Sequence, residues 1–161
     1  MNITIRNINP EFFPTPKSFL EKIEIDFADF WEKLPRNISI LEPSAGKGDI
    51  AEWFKHRTSE NYYWRQDRRC LYFSKSDIDC IEIVPELRSM LKGKSYHLVH
   101  DDFLAFSSLK RYDLIFMNPP FSNGDKHLLK AIDMQERYGG MVVCILNAET
   151  IRNPHSNVRK I

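Results

Sequence analysis

The chain has 161 residues, 42% of them hydrophobic and 28% charged, with a formal net charge of +1. That length and composition suit one globular domain, residues 1–161, with a core of its own. They exclude a globally basic nucleic-acid binder, whose partner would have to be held by a local patch instead, and no apolar run approaches the length of a membrane span.

Pro10, Pro14 and Pro16 make residues 10 to 16 turn-rich. From Ser18 to Lys33, Phe19, Leu20, Ile23, Phe27, Phe30 and Trp31 recur near 3.6-residue spacing and predict a helix. Ser18 is its expected N-cap, with Glu21 closing a capping box. Ile38 to Leu41 predicts a short buried strand. It runs into Glu42-Pro43-Ser44-Ala45-Gly46-Lys47-Gly48, and a helix from Asp49 to Arg57 follows. A second strand is expected over Ile78–Ile83 and a helix over Pro85–Lys92. A third strand is expected over Tyr96–His100 and a fourth over Asp113–Met117. A helix over Asp125–Arg137 and a fifth strand over Met141–Leu146 complete the pattern. Strands alternating with helices predict an α/β fold, a mostly parallel sheet with helices on both faces. Such sheets bind ligands beyond the carboxyl ends of their strands, so the residues there carry the functional information.

The first strand end is glycine-rich. Glycines permit positive φ and close approach to a ligand, although a lone GxG also serves tight turns. It is not a P-loop, because Leu41 and Gly48 stand where Gly and Ser or Thr would be needed. The second end offers Glu82, whose carboxylate can accept from both vicinal hydroxyls of a ribose or simply be solvated. The third offers Asp102 and Phe103, an acceptor for an exocyclic amine beside an apolar ring, or an N-cap for the following turn. The fourth is Asn118-Pro119-Pro120-Phe121. Prolines end the strand and pin the local carbonyls in direction. The Asn118 side chain and the Pro119 carbonyl make two rigid acceptors converging on one point, with the Phe121 ring beside it. That arrangement fits a planar NH₂ group.

These segments together resemble the S-adenosylmethionine-dependent amino methyltransferases, most closely the adenine-N6 DNA methyltransferases. NPPF at 118–121 resembles their catalytic motif and LEPSAGKGDI at 41–50 their cofactor loop. FFPTPKSF at 12–19 resembles the segment covering the cofactor's methionine end. IEIVPEL at 81–87 and HDDFLAF at 100–106 are similar to the ribose-binding and adenine-binding strand ends. Five motifs in this order, spanning residues 11 to 150, are specific together. The resemblance implies a Rossmann-like class I methyltransferase sheet. In it, Thr15 and Pro16 line the cofactor's amino-acid end, and Glu42, Ala45, Gly46 and Gly48 shape the loop. Glu82 holds the ribose, Ile83 lies against the cofactor's adenine, and Asp102 takes that adenine's amine beside Phe103. Asn118 and Pro119 hold the target amine, Pro120 completes the rigid turn, and Phe121 stacks on the target base. The implied reaction is metal-free transfer of methyl to adenine N6 in DNA, with the base flipped out of the duplex. Restriction–modification is one role in which the family serves.

Two departures stand out. Family sheets usually add two further strands, which Ile161 leaves no room for, so a C-terminally incomplete domain is expected, with a partner chain or second copy completing the sheet and target recognition. Forty residues also separate Glu42 from Glu82, about twice the usual interval, and residues 56–77 read as an insertion. From Lys55 to Lys75 it carries six Lys or Arg and two acidic residues, interleaved with Tyr62, Tyr63, Trp64, Tyr72 and Phe73. It is either a nucleic-acid surface, to which Arg152, Arg159 and Lys160 could add, or a hairpin packing its aromatics inward. His97 and His100 fall on opposite faces of a strand, a poor metal site. Cys70, Cys80 and Cys144 form no CxxC pair, and the N-terminus lacks a signal-peptide core, so a reducing, cytoplasmic setting is expected. Competing readings are the same fold acting on ribosomal-RNA guanine N2 or on release-factor glutamine, and a non-catalytic cofactor-binding remnant.

Overall fold

The computed structural model describes residues 11–57 and 75–148. Most of the expected insertion, with its aromatic residues and Cys70, lies outside the described residues, as do Arg152, Arg159 and Lys160. Eleven elements follow one another among the described residues. They are α1 (Lys17–Asp26), α2 (Ala28–Trp31), β1 (Asn37–Glu42), α3 (Asp49–Lys55), β2 (Lys75–Ile81), α4 (Pro85–Gly93), β3 (His97–His100), β4 (Leu114–Met117), a 3₁₀ turn (Phe121–Asn123), α5 (Gly124–Tyr138) and β5 (Met141–Cys144).

The five strands form one sheet in the order β3-β2-β1-β4-β5, and every pairing is parallel. All four residues of β4 are buried, as expected of a strand covered on both faces, which reads as an apolar run rather than an alternation. Leu114 and Phe116 point to one face, where they pack with Ile38, Ile40, Leu20, Trp31, Trp53 and Phe54 beneath α1, α2 and α3. Ile115 and Met117 point to the other, where Leu41, Ile81, Phe103, Phe106, Tyr112 and Ala131 close the core. Among the described residues no helix is long and apolar enough to cross a membrane.

Buried polar groups tie these layers together. The Arg57 guanidinium donates to Glu24 across α1 and α3 and sits 3.9 Å from the Trp53 ring centre. Asp79, inside β2, accepts from the Tyr112 hydroxyl and the Lys110 ammonium, each at 2.8 Å, and pairs with His97 at 2.6 Å. Burial alone would raise its pKa. The bonds from Lys110, His97 and Tyr112 outweigh burial and hold the carboxyl below its ordinary range.

Two sequence expectations are corrected. The helix expected from Ser18 to Lys33 is two helices, and its N-cap is Pro16, with no side-chain cap. Pro16, at φ −63°, lets the helix start directly behind it. Its carbonyl accepts from Phe19 and Leu20 N–H at 3.0 and 3.2 Å, so Ser18 lies inside the first turn. The break falls at Phe27, φ −121°. There the Trp31 indole N–H donates to the Ile23 carbonyl at 3.2 Å, and the Trp31 ring joins the buried aromatic cluster. The second strand ends at Ile81 rather than Ile83. Its last rung with β1 is Glu42 opposite Cys80, and the Glu82 carboxylate then turns back onto backbone N–H groups of the neighbouring loops.

Candidate active site

In this strand order the chain leaves β1 toward β2 and leaves β4 toward β5. The carboxyl ends of β1 and β4 therefore flank the crevice where the winding reverses, the usual ligand site of open parallel sheets. A cleft of about 570 Å³ opens there. Its floor is the loop after β1. Gly46 and Gly48 take φ of +58° and +89°, a region open to glycine. The Ala45 N–H donates to the Ile81 carbonyl at 3.0 Å, which binds the loop to the end of β2. A Cβ on Gly46 would lie 2.8 Å from the Phe12 ring, so a side chain there would force that ring out of the cleft wall.

Six acidic residues line this cleft, Glu11, Glu42, Asp49, Glu82, Asp101 and Asp102, and three of them are expected site residues. Glu82 accepts from Gly46 N–H at 2.7 Å and from Val84 N–H at 2.8 Å, one bond to each oxygen. Both oxygens are thus fixed in direction. Burial raises its pKa, partly countered by those backbone bonds. Glu42 is 1% exposed and accepts from Ala51 N–H at 2.8 Å. Burial pushes its pKa well above the ordinary 4.5, and nearby Asp49 and Glu82 add to the rise. Asp102 accepts from Leu104 N–H at 2.8 Å through one oxygen, so the turn-capping role expected as one alternative is present. Ile83 is 64% exposed at the cleft margin, while Phe103 is buried in its wall.

A second cavity, about 590 Å³, lies on the other side of Asn118. Phe13, Thr15 and Asn118 line both cavities. The Asn118 amide nitrogen donates to the Phe13 carbonyl and the Thr15 hydroxyl, both at 3.1 Å. The Thr15 N–H in turn donates to Asp49 at 3.1 Å. The segment before α1 is thereby held between the glycine loop and the end of β4. With the amide nitrogen committed, the Asn118 side-chain oxygen is the group left to accept a donor. The Phe121 ring lies 4.5 Å from that of Phe13, tilted by 31°, and forms part of the second cavity.

Of the residues expected at the site, Thr15, Glu42, Ala45, Gly46, Glu82, Ile83, Asp102, Phe103, Asn118 and Pro120 line the first cleft. Pro16 and Phe121 line the second. Gly48 and Pro119 line neither. Gly48 precedes α3, with Leu91 and Tyr96 packed where a Cβ would stand. Pro119 is buried behind Asn118. Two residues escaped the sequence reading. Asp49 anchors Thr15, and His127 lines the first cleft from α5. The signal for His127 was its place one helical turn after Asn123, in the helix that follows the proline-terminated strand.

No protein-family model and no curated protein matches the chain. Among solved structures it is similar to a Pyrococcus horikoshii protein proposed to be an RNA methyltransferase, at TM-score 0.60 and 18% identity over 91% of this chain and 67% of that one. A dimethyladenosine transferase from Plasmodium falciparum aligns at TM-score 0.58 and 13% identity, over 91% of this chain and 47% of that one. An RNA methyltransferase from Salinibacter ruber, solved with S-adenosyl-L-homocysteine, aligns at 0.52 and 13%, over 84% and 79%. The chain thus spans about half the length of the Plasmodium protein. These likenesses establish the fold, a Rossmann-like parallel sheet flanked by helices, as in those proteins.

Proposed function

We propose that this chain binds S-adenosylmethionine in the first cleft and transfers its methyl group to the exocyclic N6 amine of an adenine in DNA, presented from the second cavity. The observation that carries this reading is the meeting of the two cavities at Asn118, whose side-chain oxygen is left free to accept by the bonds its amide nitrogen makes.

The first cleft fits the cofactor group by group. Glu82 has two oriented oxygens for a ribose diol, and Ile83 and Phe103 offer apolar walls for a purine. The loop at Gly46 has no room for a side chain, which keeps backbone at the cleft floor. Glu42, Thr15 and Asp49 stand where an amino-acid end would be received. When bound, S-adenosylmethionine supplies an activated methyl group on a positively charged sulfur. The chain's own residues then position the acceptor. Asn118 takes one amine hydrogen through its side-chain oxygen, which draws electron density onto nitrogen and helps turn its lone pair toward the first cleft; the Pro119 carbonyl, the second acceptor that the resemblance implies, belongs to a residue lining neither cavity. Phe121 holds the ring of the base, and the amine proton is released to water. Positioning of this kind supplies most of the rate in such transfers.

The FFPTP segment ahead of the glycine loop favours DNA. RNA adenine is the second reading, supported by the RNA methyltransferases and the dimethyladenosine transferase among the structural neighbours. A transfer assay with isotopically labelled S-adenosylmethionine, offered duplex DNA, RNA and protein together, tests both. Label on DNA N6-methyladenine is the expected result. Label on RNA adenine moves the substrate to the second reading, and label on guanine N2 or on glutamine overturns both.

A further inference from the structure

His127 stands on α5 and is 8% exposed. Its Nδ1 lies 2.9 Å from the Asn123 carbonyl. A carbonyl only accepts, so Nδ1 carries the proton and Nε2 is an acceptor. Among the described residues Nε2 has no partner, and the ring lines the first cleft. The ring is also fixed in place. It packs on Phe103, with ring centres 5.6 Å apart and planes tilted by 37°. One turn further along the same helix, Lys130 donates to the Leu104 carbonyl at 2.9 Å. That face of α5 is therefore laid on Phe103 and Leu104, next to Asp102, which lines the same cleft as His127 and whose charge acts on its ring. Burial lowers the pKa of His127, against the Asn123 carbonyl and the charges of Asp102 and Asp125, so the neutral acceptor form is favoured.

Two acceptors that line one apolar-walled slot suit a group with two N–H donors in a plane. A purine amine is such a group, whereas a purine carbonyl would meet two acceptors with a third. We propose that His127 Nε2, together with Asp102, accepts the amine hydrogens of the cofactor's adenine and makes the cleft selective for adenosine over deaminated nucleosides. This rests on the cofactor assignment above and adds a specificity residue to it.

The test is calorimetric binding of S-adenosylhomocysteine and of S-inosylhomocysteine, in which the amine is replaced by a carbonyl. Three proteins are compared: wild type, His127→Phe and His127→Gln. Phenylalanine keeps the ring against Phe103 but removes the acceptor, and glutamine returns an oxygen near the Nε2 position. Wild type is expected to prefer the adenosyl compound. In His127→Phe its affinity should fall about tenfold, the loss expected for one buried hydrogen bond, and the preference should shrink by at least as much. His127→Gln should recover part of both. An unchanged preference in His127→Phe overturns the proposal while leaving the cofactor assignment intact. If His127→Phe fails to fold, His127→Leu, which also lacks the acceptor, takes its place: a preference reduced about tenfold is expected, and an unchanged one overturns the proposal. Failure of wild type to bind either compound overturns the cofactor assignment itself, and this proposal with it.

Discussion

At the scale of single residues, the organising feature is that side chains at the site are oriented before any ligand arrives. Thr15 shows how. Its hydroxyl accepts from the Asn118 amide at 3.1 Å and its N–H is held by Asp49. Thr15→Val should keep the shape and remove one of the two bonds that orient Asn118. A loss of about 1 kcal/mol of positioning corresponds to roughly a fivefold lower kcat, and single-turnover kinetics at saturating cofactor read it directly. Glu82→Ala should weaken S-adenosylhomocysteine binding by about 1–3 kcal/mol if two charge-assisted bonds are lost. The same residue gives a pH dependence. Burial raises its pKa, so it takes up a proton earlier than an ordinary glutamate as pH falls. Cofactor affinity should decline on acidification while pH is still above 4.5, and Glu82→Gln should flatten that decline. The strand-end residues were legible because each combines an unusual residue type with a position just past an apolar run. His127 was not, because its partner is a backbone carbonyl, which leaves no trace in the sequence, and because Phe103 approaches it only through tertiary packing.

At the scale of elements, strand and helix types were readable because short apolar runs such as Leu114–Met117 and Met141–Cys144 mark parallel strands, with helically spaced apolar residues between them. Boundaries were less so. Continuous apolar spacing from Phe19 to Trp31 hides the break at Phe27, which depends on Trp31 turning into the aromatic cluster under β4. The glycine loop makes a sharper claim. At Gly46 an alanine would meet both a positive φ and the Phe12 ring. Gly46→Ala should cost about 1–2 kcal/mol of stability, seen in denaturant unfolding, and should weaken cofactor binding as the Phe12 ring is displaced. The pin between α1 and α3 is testable too. Glu24→Ala leaves the Arg57 guanidinium buried without its carboxylate partner, a change that typically costs about 3–5 kcal/mol, and the midpoint of urea unfolding should fall accordingly.

At the scale of the whole molecule, the strand order places the site. The cleft exists because β1 and β4 are neighbours from which the chain departs in opposite directions, and that adjacency was only implied by the sequence until the pairing Ile40 with Leu114 and Leu41 with Ile115 was seen. The molecule carries a cost for its cleft. Glu42 is fully enclosed, and its folded pKa lies well above 4.5. Between 4.5 and that raised value the folded state binds more protons than the unfolded one, so stability falls as pH rises through this window. Glu42→Gln should remove that slope and melt higher than wild type on the alkaline side. Across the two cavities, one residue decides between a cofactor-binding fold and a methyltransferase. The measurement that reads it is S-adenosylhomocysteine affinity and single-turnover methyl transfer, side by side, in Asn118→Ala. Affinity within about twofold of wild type, with transfer to adenine abolished, is the predicted result. Transfer that persists, or affinity and transfer lost together, would contradict the placement of Asn118 at the target amine.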